Sequence, residues 1–80
     1  MDRPINDIAA EIHSNWTAVR NNMHHPAAPY LRAMYALESI HDNYYDDSGK
    51  SVVLYFLANA NTWRGDVARR IKAELKAMTK

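Results

Sequence analysis

Cysteine is missing from this chain of 80 residues, and with it go disulfides, thiolate nucleophiles and the sulfur ligands that structural zinc sites favour. A domain this small, without covalent staples, must hold together by packing or by oligomerising. Glycine occurs only twice and proline three times, which excludes a disordered or fibrous composition and leaves an ordinary globular one. Long apolar runs are lacking too. The longest, Val52 to Ala58, falls far short of the roughly 20 residues of a membrane span, and the opening "MDRPINDIAAEI" has no apolar signal-peptide core. The expectation is one cytoplasmic domain over residues 1–80, in contact with no membrane.

What the chain does have is helical periodicity. Ile5, Ile8, Ala9, Ile12, Trp16 and Val19 share one side of a helix at about 100° per residue, which predicts a helix over 4–19 with Pro4 in its first turn and Asp7 at the positive end of its dipole. The segment "RNNMHHPAAP" breaks the pattern and must turn. Tyr30, Met34, Leu37 and His41 then predict a second helix over 27–42. "SVVLYFLANA" is apolar almost all round and could be a buried strand. It reads better as a buried helix, because no second strand is on offer to satisfy its backbone. A last helix should begin at Asn61 or Thr62 and run to the C-terminus, with Trp63, Val67, Ile71, Leu75 and Met78 on its apolar stripe. Four helices joined by short loops predict a compact all-α single domain.

Several motifs invite chemistry that their surroundings deny. Gly49-Lys50-Ser51 ends like a phosphate-binding loop, but that loop needs a strand before it and a glycine where Tyr44 stands, and Asp46 and Asp47 would repel phosphate. Gly49 instead fits a permissive link between helices, with Ser48 or Ser51 as a helix cap. As a calcium loop the same stretch puts Tyr55 where a bidentate glutamate is required. Arg64-Gly65-Asp66 matches an integrin-binding tripeptide, yet the expected helix would hold it in a rigid first turn. The histidines, His13, His24, His25 and His41, form no i, i+4 pair for a metal; His24-His25 reads as a solvated loop pair and His41 as a core-edge residue of the second helix. No nucleophile, base and orienter set is evident among the serines. No enzyme activity, metal or cofactor is expected.

Charge is where the chain is uneven. With histidines neutral, residues 1–49 carry three arginines against seven carboxylates, net −4, and residues 50–80 carry seven cations against two carboxylates, net +5. Such a dipole marks a surface for nucleic acid or an acidic partner, or else serves attraction between the protein's own halves. On the last helix Arg69, Lys72, Lys76 and Lys80 project together opposite the apolar stripe, with Arg64 near the start, while Asp66 and Glu74 are placed to pair with Arg70 at i, i+4. The bland alternative is a solvated helix face. The third and fourth helices could also form a loose helix-turn-helix, limited to phosphate contact because base-reading amides are absent from the ridge. The tyrosines, Tyr35 and Tyr45 above all, suit a protein interface.

The stretch "APYLRAMYALESIHDNYYDDSGKSVVLYFLANANTWRGDVARRIKAELKAM", above all Pro29-Tyr30-Leu31, Tyr55-Phe56-Leu57 with Asn59-Ala60, and Thr62-Trp63-Arg64-Gly65, resembles a family of small, largely uncharacterised proteins encoded by phages, prophages and other mobile elements of Gram-positive bacteria. "NNMHHP" departs from that family's pattern. The resemblance implies a protein made in the cytoplasm of a bacterial host and brings no catalytic residues with it. The combined expectation is a non-catalytic helical binding protein that acts on a host or phage protein, such as a defence nuclease, through Arg64, Arg69, Lys72, Lys76 and Lys80 with Trp63 nearby. The alternatives are a nucleic-acid-binding accessory or regulatory protein using the same cations, and a subunit whose oligomer completes the core.

Overall fold

The computed structural model describes residues 3–80. The first apolar repeat folds as α1 (Ile5–Asn15), burying Ile5, Ile8, Ala9 and Ile12. Its first N–H groups have no partner within the helix, and two find theirs far along the chain: those of Ile5 and Asn6 donate to the carbonyls of Glu38 and Leu37, each at 2.9 Å. The expected helix over 4–19 is interrupted at Trp16, whose φ of −95° and ψ of 88° separate α1 from the single turn α2 (Thr17–Arg20). Carbonyls orphaned at that break are recovered by Arg20, whose Nη1 donates to Ser14 O at 2.9 Å.

The second expected helix is shorter than 27–42. It runs as α3 (Ala28–Tyr35), with Pro29 in its first turn. Beyond Tyr35 the backbone has other partners. Asp42 accepts from the N–H groups of Glu38 and Ser39 at 3.0 and 3.1 Å, and the carbonyls of Leu37 and Glu38 serve α1, so none of these groups remains for a helical ladder. His41 consequently lies exposed in a turn and not on an apolar helix face. A two-residue hairpin follows, β1 (Asn43–Tyr44) against β2 (Asp47–Ser48), antiparallel with Tyr44 opposite Asp47.

The apolar run is helical, as α4 (Gly49–Ala58). Ser48 is its N-cap and its hydroxyl accepts from the Ser51 N–H at 3.1 Å. Gly49 is required by proximity, since a Cβ there would stand 2.8 Å from the Ile40 carbonyl oxygen and 2.9 Å from that of Asp42. The last helix, α5 (Asp66–Met78), begins later than Thr62 because Gly65, at φ 111° and ψ 179°, turns the chain into it.

The described residues are therefore mostly helical, but in five helical segments with one small hairpin where four helices and no strand were expected. The core lies where α1 meets α3, α3 meets α4, and α5 crosses both α1 and α4. Its centre is aromatic. Trp16 stacks on Trp63 with ring centroids 5.5 Å apart, and Phe56 meets the two rings edge-on at 6.2 and 6.4 Å. No buried side-chain polar atom among the described residues lacks a hydrogen-bond partner.

Candidate binding surface

The five cations named from sequence end in different circumstances. Arg69 is exposed on α5 and ion-paired with Asp66 three residues earlier, a solvated contact that holds its charge only weakly. Lys80 lies beyond the end of α5. Arg64 is exposed in the link before the helix, and Lys76 is exposed on the helix itself. Lys72 is half-buried between them. Its Nζ donates to the Trp63 carbonyl at 2.7 Å and stands 6.0 Å from the centroid of the Trp63 ring.

Arg64, Lys72 and Lys76 form one electrostatic group. The Lys72 ammonium is held below the usual lysine range, first by its partial burial and then by the positive charges of Lys76 and Arg64. A neighbouring carboxylate would reverse that effect. Among the described residues no ion pair engages Arg64, Lys72, Lys76 or Lys80. The site that emerges groups Arg64 and Lys76 with Lys72 around the start and middle of α5, with Arg69 in a solvated pair with Asp66.

The expected pairing of Arg70 with Asp66 and Glu74 is replaced by contacts across the fold. Arg70 pairs with Glu11 of α1, while Arg3 bridges Glu11 at 3.0 Å and Glu74 at 2.8 Å. Arg70 and Arg3 hold the Glu11 carboxyl below the ordinary glutamate range; Arg3 does the same for Glu74. Part of the charge asymmetry therefore serves attraction between the acidic and basic halves. Glu74 is taken off the α5 surface by this bridge.

Trp63 is not a contact residue. It is buried, stacked on Trp16, and its Nε1 donates to Asn15 Oδ1 at 2.9 Å. Helix-turn-helix geometry is also excluded, because residues 59–65 all lie between α4 and α5, a longer link than the about three- to four-residue turn of that motif. The tripeptide Arg64-Gly65-Asp66 straddles the start of α5 and is not enclosed in its first turn. His25, expected to be solvated, packs edge-on against Trp16 at 4.8 Å and accepts from the Ala27 N–H at 3.0 Å.

Besides a small hollow of about 120 Å³ next to Arg3, Glu38 and Met78, sequence reasoning missed two larger concave features. One, of about 340 Å³, is lined by His25, Pro26, Ala58, Asn59, Asn61 and Thr62 and reaches the chain just before Arg64. The amides of "NANT" were its signal, read there only as helix caps. The other lies between α1, α2 and α3. No metal-binding cluster of three or more histidines or carboxylates occurs among the described residues, and no helix there is long and apolar enough to cross a membrane.

Compared with known proteins, the chain matches no family model, no curated protein and no solved structure. The likeness to mobile-element proteins rests on the quoted sequence stretches alone.

Proposed function

We propose that the chain is a non-catalytic binding protein that engages an acidic protein surface through Arg64, Lys72 and Lys76. The observation that carries this reading is that Lys72, held by the Trp63 carbonyl, feels the positive charges of both Arg64 and Lys76, and that no carboxylate pairs with any of the three among the described residues. Clustered like charge costs stability; a partner carboxylate array would relieve it. In the bacterial setting that the sequence resemblance implies, the partner is a host or phage protein, and a defence nuclease is one such target.

A second reading has its own support. The cleft of His25, Asn59, Asn61 and Thr62 gathers amide and imidazole groups on a stretch that ends two residues before Arg64 in the chain, the kind of hydrogen-bonding set that can meet a base edge. Salt separates the two. Binding to an arbitrary DNA duplex through three phosphate contacts should weaken by roughly 40-fold between about 50 and 200 mM salt. Arg64→Glu combined with Lys76→Glu should abolish binding of either kind while leaving the melting temperature unchanged or raised. Absence of a DNA shift even at low salt removes the nucleic-acid reading. Retention by the double variant of whatever partner the unaltered protein captures from host extract would remove the triad as the contact.

A further inference from the structure

The cleft between α1, α2 and α3 shares no residue with the cationic triad. It measures about 200 Å³, and a cavity of about 150 Å³ is enough to hold a benzene ring. Val19, Ala28 and Leu31 line it with apolar carbon, and Met23 stands beside them 69% exposed. Around this floor are Arg20, Arg32, His13 and Tyr35, the last two in edge-on contact at 6.2 Å. No carboxylate lines it. Arg20 is held in place by the main-chain carbonyls of His13 and Ser14, and Arg32 has no ion pair among the described residues. An occupant matched to this cleft carries one large aromatic or apolar side chain flanked by carboxylates.

The chain itself presents such a segment. At the hairpin tip Tyr45 is 87% exposed, the greatest exposure among the protein's large hydrophobic residues, and Asp46 and Asp47 follow it, both exposed. Tyr45 sits at φ 55°, a region where a bulky residue is out of place and glycine would be at ease. Within its own fold the ring meets only the neighbouring Tyr44 among aromatic partners. A costly residue that contributes little to its own fold is what a contact made elsewhere would explain.

We propose that this cleft receives the Tyr45 hairpin tip of a second copy of the chain, the ring entering the apolar floor while Asp46 and Asp47 face Arg20 and Arg32. Related by a two-fold axis, two tips and two clefts close as a reciprocal, isologous pair; without that axis the contact is heterologous and continues head to tail. Buried area is small, so the association is weak.

Light scattering and sedimentation up to about 1 mM protein test it. Expected is an average mass that rises with concentration. Tyr45→Gly should abolish that rise while the melting temperature holds or increases, since glycine suits the tip. Arg32→Glu alone, and Asp46→Lys with Asp47→Lys alone, should each weaken association on the order of tenfold or more. Mixing those two variants should restore it, because the intact tip of the first meets the intact cleft of the second. A protein that stays monomeric at the highest concentration overturns the proposal. So does association that persists in Tyr45→Gly, or a mixture that associates no better than its components.

Discussion

The indole of Trp63 is buried against Trp16 while the carbonyl of the same residue holds Lys72 Nζ at 2.7 Å, so one position joins the core to the cationic surface. Removing the ring would leave Trp16 and Phe56 facing a void and Asn15 Oδ1 without its donor. Trp63→Ala is therefore expected to destabilise by about 3–5 kcal/mol, measured by urea unfolding; an unchanged midpoint would place the indole at the surface. Lys72 is a poor choice for a charge-reversal test for the same reason, because its loss changes the fold and the surface together. Among the described residues Arg64 and Lys76 make no ion pair, and substitution there reads binding alone. The apolar character of Trp63 was plain from its spacing with Val67 and Ile71. Its stacking on Trp16 was not, since the two indoles lie far apart in sequence and meet only once α5 packs against both α1 and α4.

At the scale of elements, α5 owes its start to one backbone conformation. Gly65 occupies φ 111° and ψ 179°, a region that is essentially closed to residues with a Cβ. Nothing lies within 4 Å of where that Cβ would stand, so a cost on substitution would come from the backbone and not from a clash. Gly65→Ala should lower stability by about 1–3 kcal/mol, and calorimetry should find it, together with weaker binding because Arg64 loses its fixed relation to Lys72. A wild-type melting temperature in that variant would mean that the link adapts freely. The helical nature of α4 and α5 was legible from pattern and length. The early end of α3 was not. Its cause is the diversion of the Leu37 and Glu38 carbonyls to the first turn of α1, a hydrogen-bonding demand set by a segment some thirty residues away. The hairpin escaped notice because its strands are only two residues long, too short for any alternation to register.

For the whole molecule, the chain of Arg70, Glu11, Arg3 and Glu74 ties the acidic N-terminal half to the basic C-terminal helix. Glu11 and Glu74 both have folded-state pKa values below the ordinary 4.5, Glu11 chiefly through Arg70 and Glu74 chiefly through Arg3. Groups depressed in this way contribute stability that is fully present above the ordinary glutamate value and lost as pH falls through the lower folded values. Urea midpoints should accordingly hold steady above about pH 5 and fall steeply toward about pH 3. In Glu11→Gln with Glu74→Gln the curve should be flatter and lower at neutral pH. An equally steep fall in that variant would assign the acid sensitivity to other carboxylates.

The sequence by itself determined that the chain is mostly helical, which residues form its apolar stripes apart from His41, and that positive charge gathers toward the end. Those properties follow from side-chain spacing along single helices, and spacing is local. Only the tertiary structure decided where helices stop, that Asp66 pairs with Arg69, that Arg70 and Glu74 find partners in Glu11 and Arg3 across the fold, and that Arg64 joins Lys72 and Lys76 on the surface. Each of these is settled by which segments come within a few ångströms of one another, and backbone donors, carboxylates and cations pair with whatever the packing of the apolar core brings into reach.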